Sequence, residues 1–188
     1  MIIELPGYVD KETTKRIREL ASSYLENNGE YKYGTYRDGK SVFITSLAQQ
    51  YPELKEIDDI LHGVFNEVQE SLLTRRYKPR AYGSGDSGYE YHRYAPGDVA
   101  HPHADGEIQD GLLRYASVVI HLNTIEKGGE LVFPNQNKSV KTEEGKVVIF
   151  PPYGMFEHYS TPADVAREVI VAWFVYNDVR VEVLNGAS

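Results

Sequence analysis

The stretch HPHADGEIQDGLLRYASVVIHLN, residues 101–123, joins a His-x-Asp pair to a long run of β-branched and aromatic residues. In an extended strand, His103 and Asp105 project from the same face because side chains alternate between the two faces. The run from Leu113 to Asn123 is typical of a buried strand. The sequence therefore predicts β-structure that carries two neighbouring side chains able to bind a metal.

Short strands separated by turn signals continue from Gly88 toward the C-terminus. The turn signals are APG at 95–97, KGG at 127–129 and PPYG at 151–154. Many short strands around one core favour a sandwich or jelly roll. The predicted strands are Tyr89–Tyr94, Leu113–Asn123, Glu130–Phe133, Lys146–Phe150, His158–Tyr159 and Glu168–Tyr176.

Roughly the first 76 residues are predicted to be mainly helical. Asp10 is placed to cap a first helix that ends near Asn27-Asn28-Gly29, and a second helix begins at about Pro52. Each helix carries its apolar residues on one side, so both should cover a sheet. We expect an α+β chain with one domain over residues 1–188, helical support in 1–80 and a jelly-roll core in 88–185.

Composition excludes several classes of partner and site. The net charge of −8 argues against nucleic acid and against an anionic membrane. The sequence has no cysteine, so a metal would have to bind histidine and carboxylate. The segment MIIELP at the N-terminus lacks the features of a signal peptide, and no stretch is long enough to span a membrane. These features predict a cytoplasmic protein.

A second histidine, His158, would complete a metal site if its strand lies beside His103 and Asp105. Two histidines and one carboxylate hold non-haem Fe(II) on one face and leave the opposite face open for oxygen and a co-substrate. Arg167 lies nine residues beyond His158, where a returning strand could bring a cation back to the site. The sequence therefore predicts an iron site with an adjacent carboxylate clamp.

Five ordered motifs between Gly88 and Asp178 resemble those of the prolyl 4-hydroxylases, a family of Fe(II)- and 2-oxoglutarate-dependent dioxygenases. Here the motifs are RYAPGD with HPHAD at 93–105, RYASVVIHLN at 114–123, GGELVFP at 128–134, GKVVIF at 145–150, and the order His158, Arg167, Trp173. The resemblance implies a double-stranded β-helix, or jelly roll, with N-terminal supporting helices. It also implies Fe(II), 2-oxoglutarate and O₂ as cofactors, release of succinate and CO₂, and stimulation by ascorbate.

Residue roles follow from the same resemblance. His103, Asp105 and His158 would bind iron, and Arg167 would hold the distal carboxylate of 2-oxoglutarate. Tyr94 would donate a hydroxyl hydrogen bond to 2-oxoglutarate. Leu131 and Trp173 would line the pocket, and Arg114 would lie near the pocket mouth and contact the substrate. His121 stands where many relatives place a tyrosine, and an imidazole there is expected to make co-substrate binding pH-sensitive near neutrality.

The resemblance favours a prolyl residue in a peptide, or proline or a related small molecule, as substrate. Tyr89 and Tyr91, on the strand that leads to the site, could stack on a proline ring, although they could equally be ordinary strand aromatics. The glycine-containing segment 75–88 could form a mobile lid.

Two alternatives stay open at the level of sequence. His101, His103, Glu107 and His158 could form a cupin-type metal site, which would have no use for Arg167 or Tyr94. A jelly-roll binding module without turnover is the other alternative. It is disfavoured because a non-catalytic domain has no physical need for three metal ligands and a clamp.

Overall fold

The N-terminal part of the chain folds mainly into helices, as predicted. In the computed structural model, which describes residues 1–28, 36–74, 84–109 and 111–180, these are α1 (Lys11–Asn28), the short α2 (Ile44–Leu47) and α3 (Pro52–Thr74). The Asp10 carboxylate accepts the Thr13 backbone N–H at 2.9 Å, which confirms it as the cap of α1. Pro52 opens α3, where its missing N–H costs no helical hydrogen bond.

Within these ranges the chain forms eleven strands, and all six predicted ones are present with small shifts at their ends. The strands are β1 (Ile3–Leu5), β2 (Lys40–Phe43), β3 (Ser84–Asp86), β4 (Glu90–Tyr94), β5 (Ile108–Gln109), β6 (Leu112–His121), β7 (Leu131–Phe133), β8 (Lys138–Val140), β9 (Val147–Phe150), β10 (Tyr159–Ser160) and β11 (Arg167–Arg180).

Eight of the strands form one sheet, in which β11 is the central element. The order is β1-β9-β6-β11-β4-β2, with β3 paired to β11 and β5 paired to β6. All of these pairings are antiparallel, and Arg167 faces Tyr94 while Val169 faces both His92 and His121. Residues from three strands are therefore held side by side on the inner face of this sheet.

The second sheet has the order β10-β7-β8 and lies over the inner face of the first. An isolated antiparallel bridge between His103 and His158 extends it, with backbone hydrogen bonds of 3.0 and 2.8 Å in the two directions. Two facing antiparallel sheets of this kind make a jelly roll, which confirms the predicted fold class.

Alternation along the strands creates two separate cores. One face of the large sheet packs against α1 and α3 through residues such as Val118, Ile120 and Ile170. The opposite face packs against the small sheet through a second cluster that includes Val119 and Val169. Successive residues of β6 and β11 thus point alternately to the helices and to the space between the sheets, where the predicted site lies.

Parts of two predictions lie outside the described residues. These are 75–83 of the expected lid and 181–185 of the expected core. The last residues of the lid segment, Ser84–Asp86, form a strand paired with β11. Within the part of the chain that the structure describes, no helix is both long and apolar enough to cross a membrane.

Candidate metal centre

The three predicted metal ligands converge between the two sheets. His103, Asp105 and His158 each offer one ligand atom, and these atoms lie within 4.8 Å of one another. The Nε2 atoms of His103 and His158 are 3.6 and 3.9 Å from Asp105 Oδ1. The backbone bridge between the two histidines brings their side chains together although they are far apart in sequence.

Both imidazoles are oriented by backbone carbonyls. His103 Nδ1 lies 2.6 Å from the carbonyl oxygen of His101, and His158 Nδ1 lies 3.0 Å from that of Phe156. A carbonyl only accepts, so each Nδ1 carries the proton and donates it. This leaves the Nε2 lone pairs directed at the ligand position, which is the arrangement that metal-binding histidines use.

Asp105 is held by a residue that sequence reasoning missed. Ser117, a fully buried residue of β6, donates its hydroxyl to Asp105 Oδ2 at 2.5 Å, so Oδ1 stays available for a metal. Burial raises the pKa of Asp105, but His158, Ser117 and His103 outweigh burial, and the pKa is lowered. A carboxylate with a lowered pKa beside two imidazoles suits a divalent cation.

We expect Ser117→Ala to weaken Fe(II) binding about tenfold, because removing a partner that orients a metal ligand costs roughly this much. The substitution removes one buried oxygen and should leave the fold intact. Oxygen-free titration with Fe(II) measures the effect, and Ser139→Ala, on an exposed position of β8, is the matched control. Equal affinities in the two variants would show that Ser117 does not support the ligand.

Arg167 supplies a buried positive charge near the ligands. Its side chain is almost fully enclosed, and its guanidinium carbon lies 4.4 Å from the centre of the Tyr94 ring. Burial lowers the pKa of Arg167, with Tyr94 opposing the change. No carboxylate among the described residues pairs with Arg167, so the buried cation lacks a protein counterion. An anionic group bound here would supply one.

His121 lies beside this cation. It is fully buried, and neither ring nitrogen has a hydrogen-bond partner among the described residues. Burial, then Arg167 and Lys146, lower the pKa of His121 to about 3. The imidazole is therefore neutral at mildly acid and neutral pH, which contradicts the expectation that it makes binding pH-sensitive there. A buried cation and an unpaired imidazole together fit the distal carboxylate of 2-oxoglutarate.

The low pKa of His121 predicts acid sensitivity of the fold. Between pH 6.5 and about 3 the unfolded chain binds a proton that the folded chain does not, so the free energy of unfolding falls as pH falls. The slope from this residue is about 1.4 kcal/mol per pH unit. We expect His121→Tyr to remove this part of the slope in urea unfolding of the metal-free protein at pH 7.0 and 5.0. His62→Gln, on the exposed side of α3, should keep it; equal slopes in wild type and His121→Tyr would contradict the assignment.

Three further predicted residues lie around the ligands. Arg114 donates to the Asp105 backbone carbonyl at 2.9 Å, and its guanidinium carbon lies 3.8 Å from the centre of the Trp173 ring. Trp173 also helps to lower the pKa of Asp105, while its buried indole nitrogen forms no hydrogen bond of ordinary geometry within the described residues. Leu131 belongs to the apolar cluster between the sheets. Arg114 and Trp173 therefore contact Asp105, one of the three metal ligands.

Tyr91 has no contact with the ligand group, whereas Tyr89 also lines a small cavity beside Arg114 and Trp173, so stacking of Tyr89 on a substrate stays a prediction. Both rings are buried in the core between the large sheet and the helices. Tyr91 donates its hydroxyl to Glu168 at 2.5 Å, and the Tyr89 ring centre lies 4.8 Å from that of Phe65. Tyr94 faces the opposite side of the sheet, because it lies three residues after Tyr91 and side chains alternate between the two faces of β4.

The cupin-type alternative also fails on geometry. The His101 side chain is 47% exposed, and its Nε2 lies 2.9 Å from Asp38 Oδ1, away from the ligand group. Glu107 is exposed and contributes no ligand atom to that group. The three converging ligands are thus two histidines and an aspartate, with Arg167 nearby.

Comparison with known proteins shows what the segment that carries this geometry is similar to. The sequence profile described as "2OG-Fe(II) oxygenase superfamily" matches residues 89–175, the segment that carries the ligands, Tyr94, His121 and Arg167. No curated protein sequence matches the chain.

Several solved structures share the fold at low sequence identity. A Pseudomonas putida prolyl-4-hydroxylase superposes with a TM-score of 0.74 at 16% identity, covering 94% of this chain and 92% of that one. A viral collagen prolyl hydroxylase of Paramecium bursaria Chlorella virus-1, in complex with 2OG, gives 0.68 at 17%, covering 93% and 96%. A Trichoplax adhaerens prolyl hydroxylase, in complex with a peptide fragment of a hypoxia inducible factor, gives 0.68 at 16%, covering 93% and 83%.

The profile match, the fold and the ligand geometry agree with one another. The profile covers the strands that carry the site, β4, β6 and β11 up to residue 175, and the structural likeness extends to the supporting helices. On this combined evidence the chain is similar to 2OG-Fe(II) oxygenases over residues 89–175 and has a prolyl hydroxylase-like fold, and its ligand group suits the Fe(II) that such oxygenases use with 2-oxoglutarate and O₂.

Proposed function

We propose that the chain hydroxylates a C–H bond of a prolyl residue in a peptide, or of proline or a related small molecule, with release of succinate and CO₂. The observation that carries the proposal is the pairing of a two-His, one-Asp ligand group with a buried arginine that has no carboxylate partner among the described residues. The first suits Fe(II) and the second suits a dicarboxylate co-substrate. Neighbouring structures that are prolyl hydroxylases, one of them with a bound peptide, favour the prolyl substrate.

Each residue has a defined part in this proposal. His103, Asp105 and His158 hold the iron, and Ser117 keeps Asp105 oriented so that one oxygen faces the metal. Arg167 and His121 bind the distal carboxylate of 2-oxoglutarate, with Tyr94 stacked against the guanidinium. Iron with 2-oxoglutarate and O₂ supplies the oxidant for an unactivated C–H bond. The apolar residues between the sheets, Leu131 among them, exclude water from this space.

The experiment is a coupled assay of the purified protein with Fe(II), 2-oxoglutarate and oxygen. Proline-rich peptides and free L-proline are offered in parallel, and both succinate and the mass of the hydroxylated product are measured. We expect succinate to rise with at least one of them and to match hydroxylated product in amount. If the protein binds Fe(II) and 2-oxoglutarate but neither substrate gains oxygen, the prolyl assignment is wrong. If no substrate supports succinate formation at all, the chain is a binding module.

A further inference from the structure

A small cavity lies beside Arg114 and Trp173, two side chains that contact Asp105, and none of the three metal ligands lines it. Its volume is about 190 Å³, and Arg114 and Trp173, which stand at Asp105, form one wall. This volume is about that of six water molecules in the liquid. The cavity therefore has room for one small ring or one side-chain end.

The register of β4 places one acidic residue in this cavity, which the cationic Arg114 also lines. Tyr94, His92 and Glu90 share the inner face of β4; Tyr94 pairs with Arg167 and Glu90 pairs with Val171. Glu90 thus lies four residues along the strand from Tyr94, beside the cavity. It is the one carboxylate among the described residues that line the cavity, where Thr45, Ser46 and Ser87 add hydroxyl groups.

The contacts of Glu90 leave part of its carboxylate available. His92 Nε2 lies 2.9 Å from Glu90 Oε2, and the nearest Arg37 nitrogen lies 3.7 Å from the same oxygen, beyond hydrogen-bond length. Arg37 instead contacts the His92 ring. No hydrogen bond from a described residue reaches Glu90 Oε1, although the side chain is only 13% exposed. The carboxylate is therefore positioned by its neighbours but incompletely satisfied.

His92 does not neutralise this carboxylate by carrying a charge of its own. Burial lowers the pKa of His92 to about 4 despite the hydrogen bond with Glu90. At neutral pH the imidazole is uncharged and donates Nε2–H to the carboxylate, while its other nitrogen can accept from Arg37. Arg37 is thus the ion-pair partner of Glu90 at Oε2, while Oε1 accepts no hydrogen bond from a described residue.

We propose that Glu90 binds a cationic nitrogen of the substrate in this cavity, so that the enzyme selects substrates with a protonated amine or a guanidinium near the reacting carbon. The inference rests on the proposed function, since it assigns the substrate end of the same site. The cation could be the amine of a free amino acid or the side chain of a lysine or arginine in a peptide. Both present the same chemistry to a carboxylate.

Two matched pairs of probes test the proposal by calorimetry, with Zn(II) and 2-oxoglutarate present so that no turnover occurs. The first pair is prolinamide and N-acetylprolinamide, which differ in the charge on the ring nitrogen. The second is acetyl-Gly-Lys-Pro-Gly-amide and the same peptide with its lysine Nζ acetylated. We expect the cationic member of at least one pair to bind about tenfold or more tightly, as a charged hydrogen bond implies. The pair that shows the preference identifies the source of the cation.

Variants then assign the preference to Glu90. Glu90→Gln should abolish it, and Glu90→Asp, which keeps the charge on a shorter side chain, should retain part of it. Glu126→Gln, in the exposed loop after β6, is the matched control and should keep it fully. Binding of Zn(II) and 2-oxoglutarate should change less than about twofold in all three variants, because Glu90 touches neither the ligands nor Arg167.

The proposal is overturned if wild-type protein binds both members of each pair equally, or if Glu90→Gln retains the preference. The wild-type comparison needs no variant, so it stands even if Glu90→Gln does not fold. Failure of the proposed function has a different signature. In that case the cationic probes bind with the stated preference, but no prolyl compound gains oxygen under Fe(II) and O₂.

Discussion

The variant His103→Ala should reduce turnover by more than about a hundredfold, since loss of an outer partner of a metal ligand alone costs about 10–100-fold. His103 supplies one of the three converging ligand atoms. Its side chain is 15% exposed, so its removal opens little of the core. The measurement is 2-oxoglutarate-dependent succinate formation at saturating Fe(II), accompanied by an Fe(II) titration without oxygen.

His62→Ala is the control, because this substitution also removes an imidazole, but at a position on the exposed side of α3. Circular dichroism of the metal-free variants shows whether the fold is kept. Turnover within a few fold of wild type in His103→Ala would remove this residue from the ligand set. The same loss in His62→Ala would mean that the assay reports stability and not the site.

Replacing Arg167 by alanine should weaken 2-oxoglutarate binding about 30-fold or more, while Fe(II) binding stays the same. The first effect follows because truncating one partner of a buried charge pair costs about 2 kcal/mol or more. The second follows because Arg167 is not among the ligand atoms. An oxygen-free titration with 2-oxoglutarate at saturating Fe(II), which follows the visible band of the chelated 2-oxo acid, measures the affinity.

Arg93→Ala is the matched control, since Arg93 lies next to Tyr94 on β4 but on an exposed position. Arg167→Lys should recover part of the affinity, because a lysine keeps the charge and loses the planar fork of the guanidinium. An unchanged 2-oxoglutarate requirement in Arg167→Ala would assign the buried cation a structural role.

The metal ligands could be predicted from the sequence because their recognition depends on residue type and local spacing. His103 and Asp105 lie two residues apart, and the motifs around them fixed the order of His158 and Arg167. The six main strands were accessible for the same reason, since apolar runs and turn residues are local signals. The short strands β1 and β2 carry no such signal, and only pairing with β9 and β4 makes them strands.

The roles of residues that depend on strand register or on neighbouring strands could not be predicted from the sequence. Ser117 is an unremarkable serine until β6 places it opposite Asp105. The alternation in β4 was visible, but only the packing of the helices decides that Tyr91 faces them while Tyr94 faces the site. The charge state of His121 depends on Arg167 and Lys146, which come from other strands.

The backbone bridge between His103 and His158 has a consequence for the stability of the loaded protein. A metal bound to both imidazoles would act as a reversible cross-link that closes a loop of 55 residues (158 − 103). A metal that binds only the folded state adds stability in proportion to RT ln(1 + [L]/Kd), and unfolding of this loop then requires that the metal first dissociates. Metal loading should therefore slow proteolysis of the segment 104–157, and a chelator should restore its cleavage.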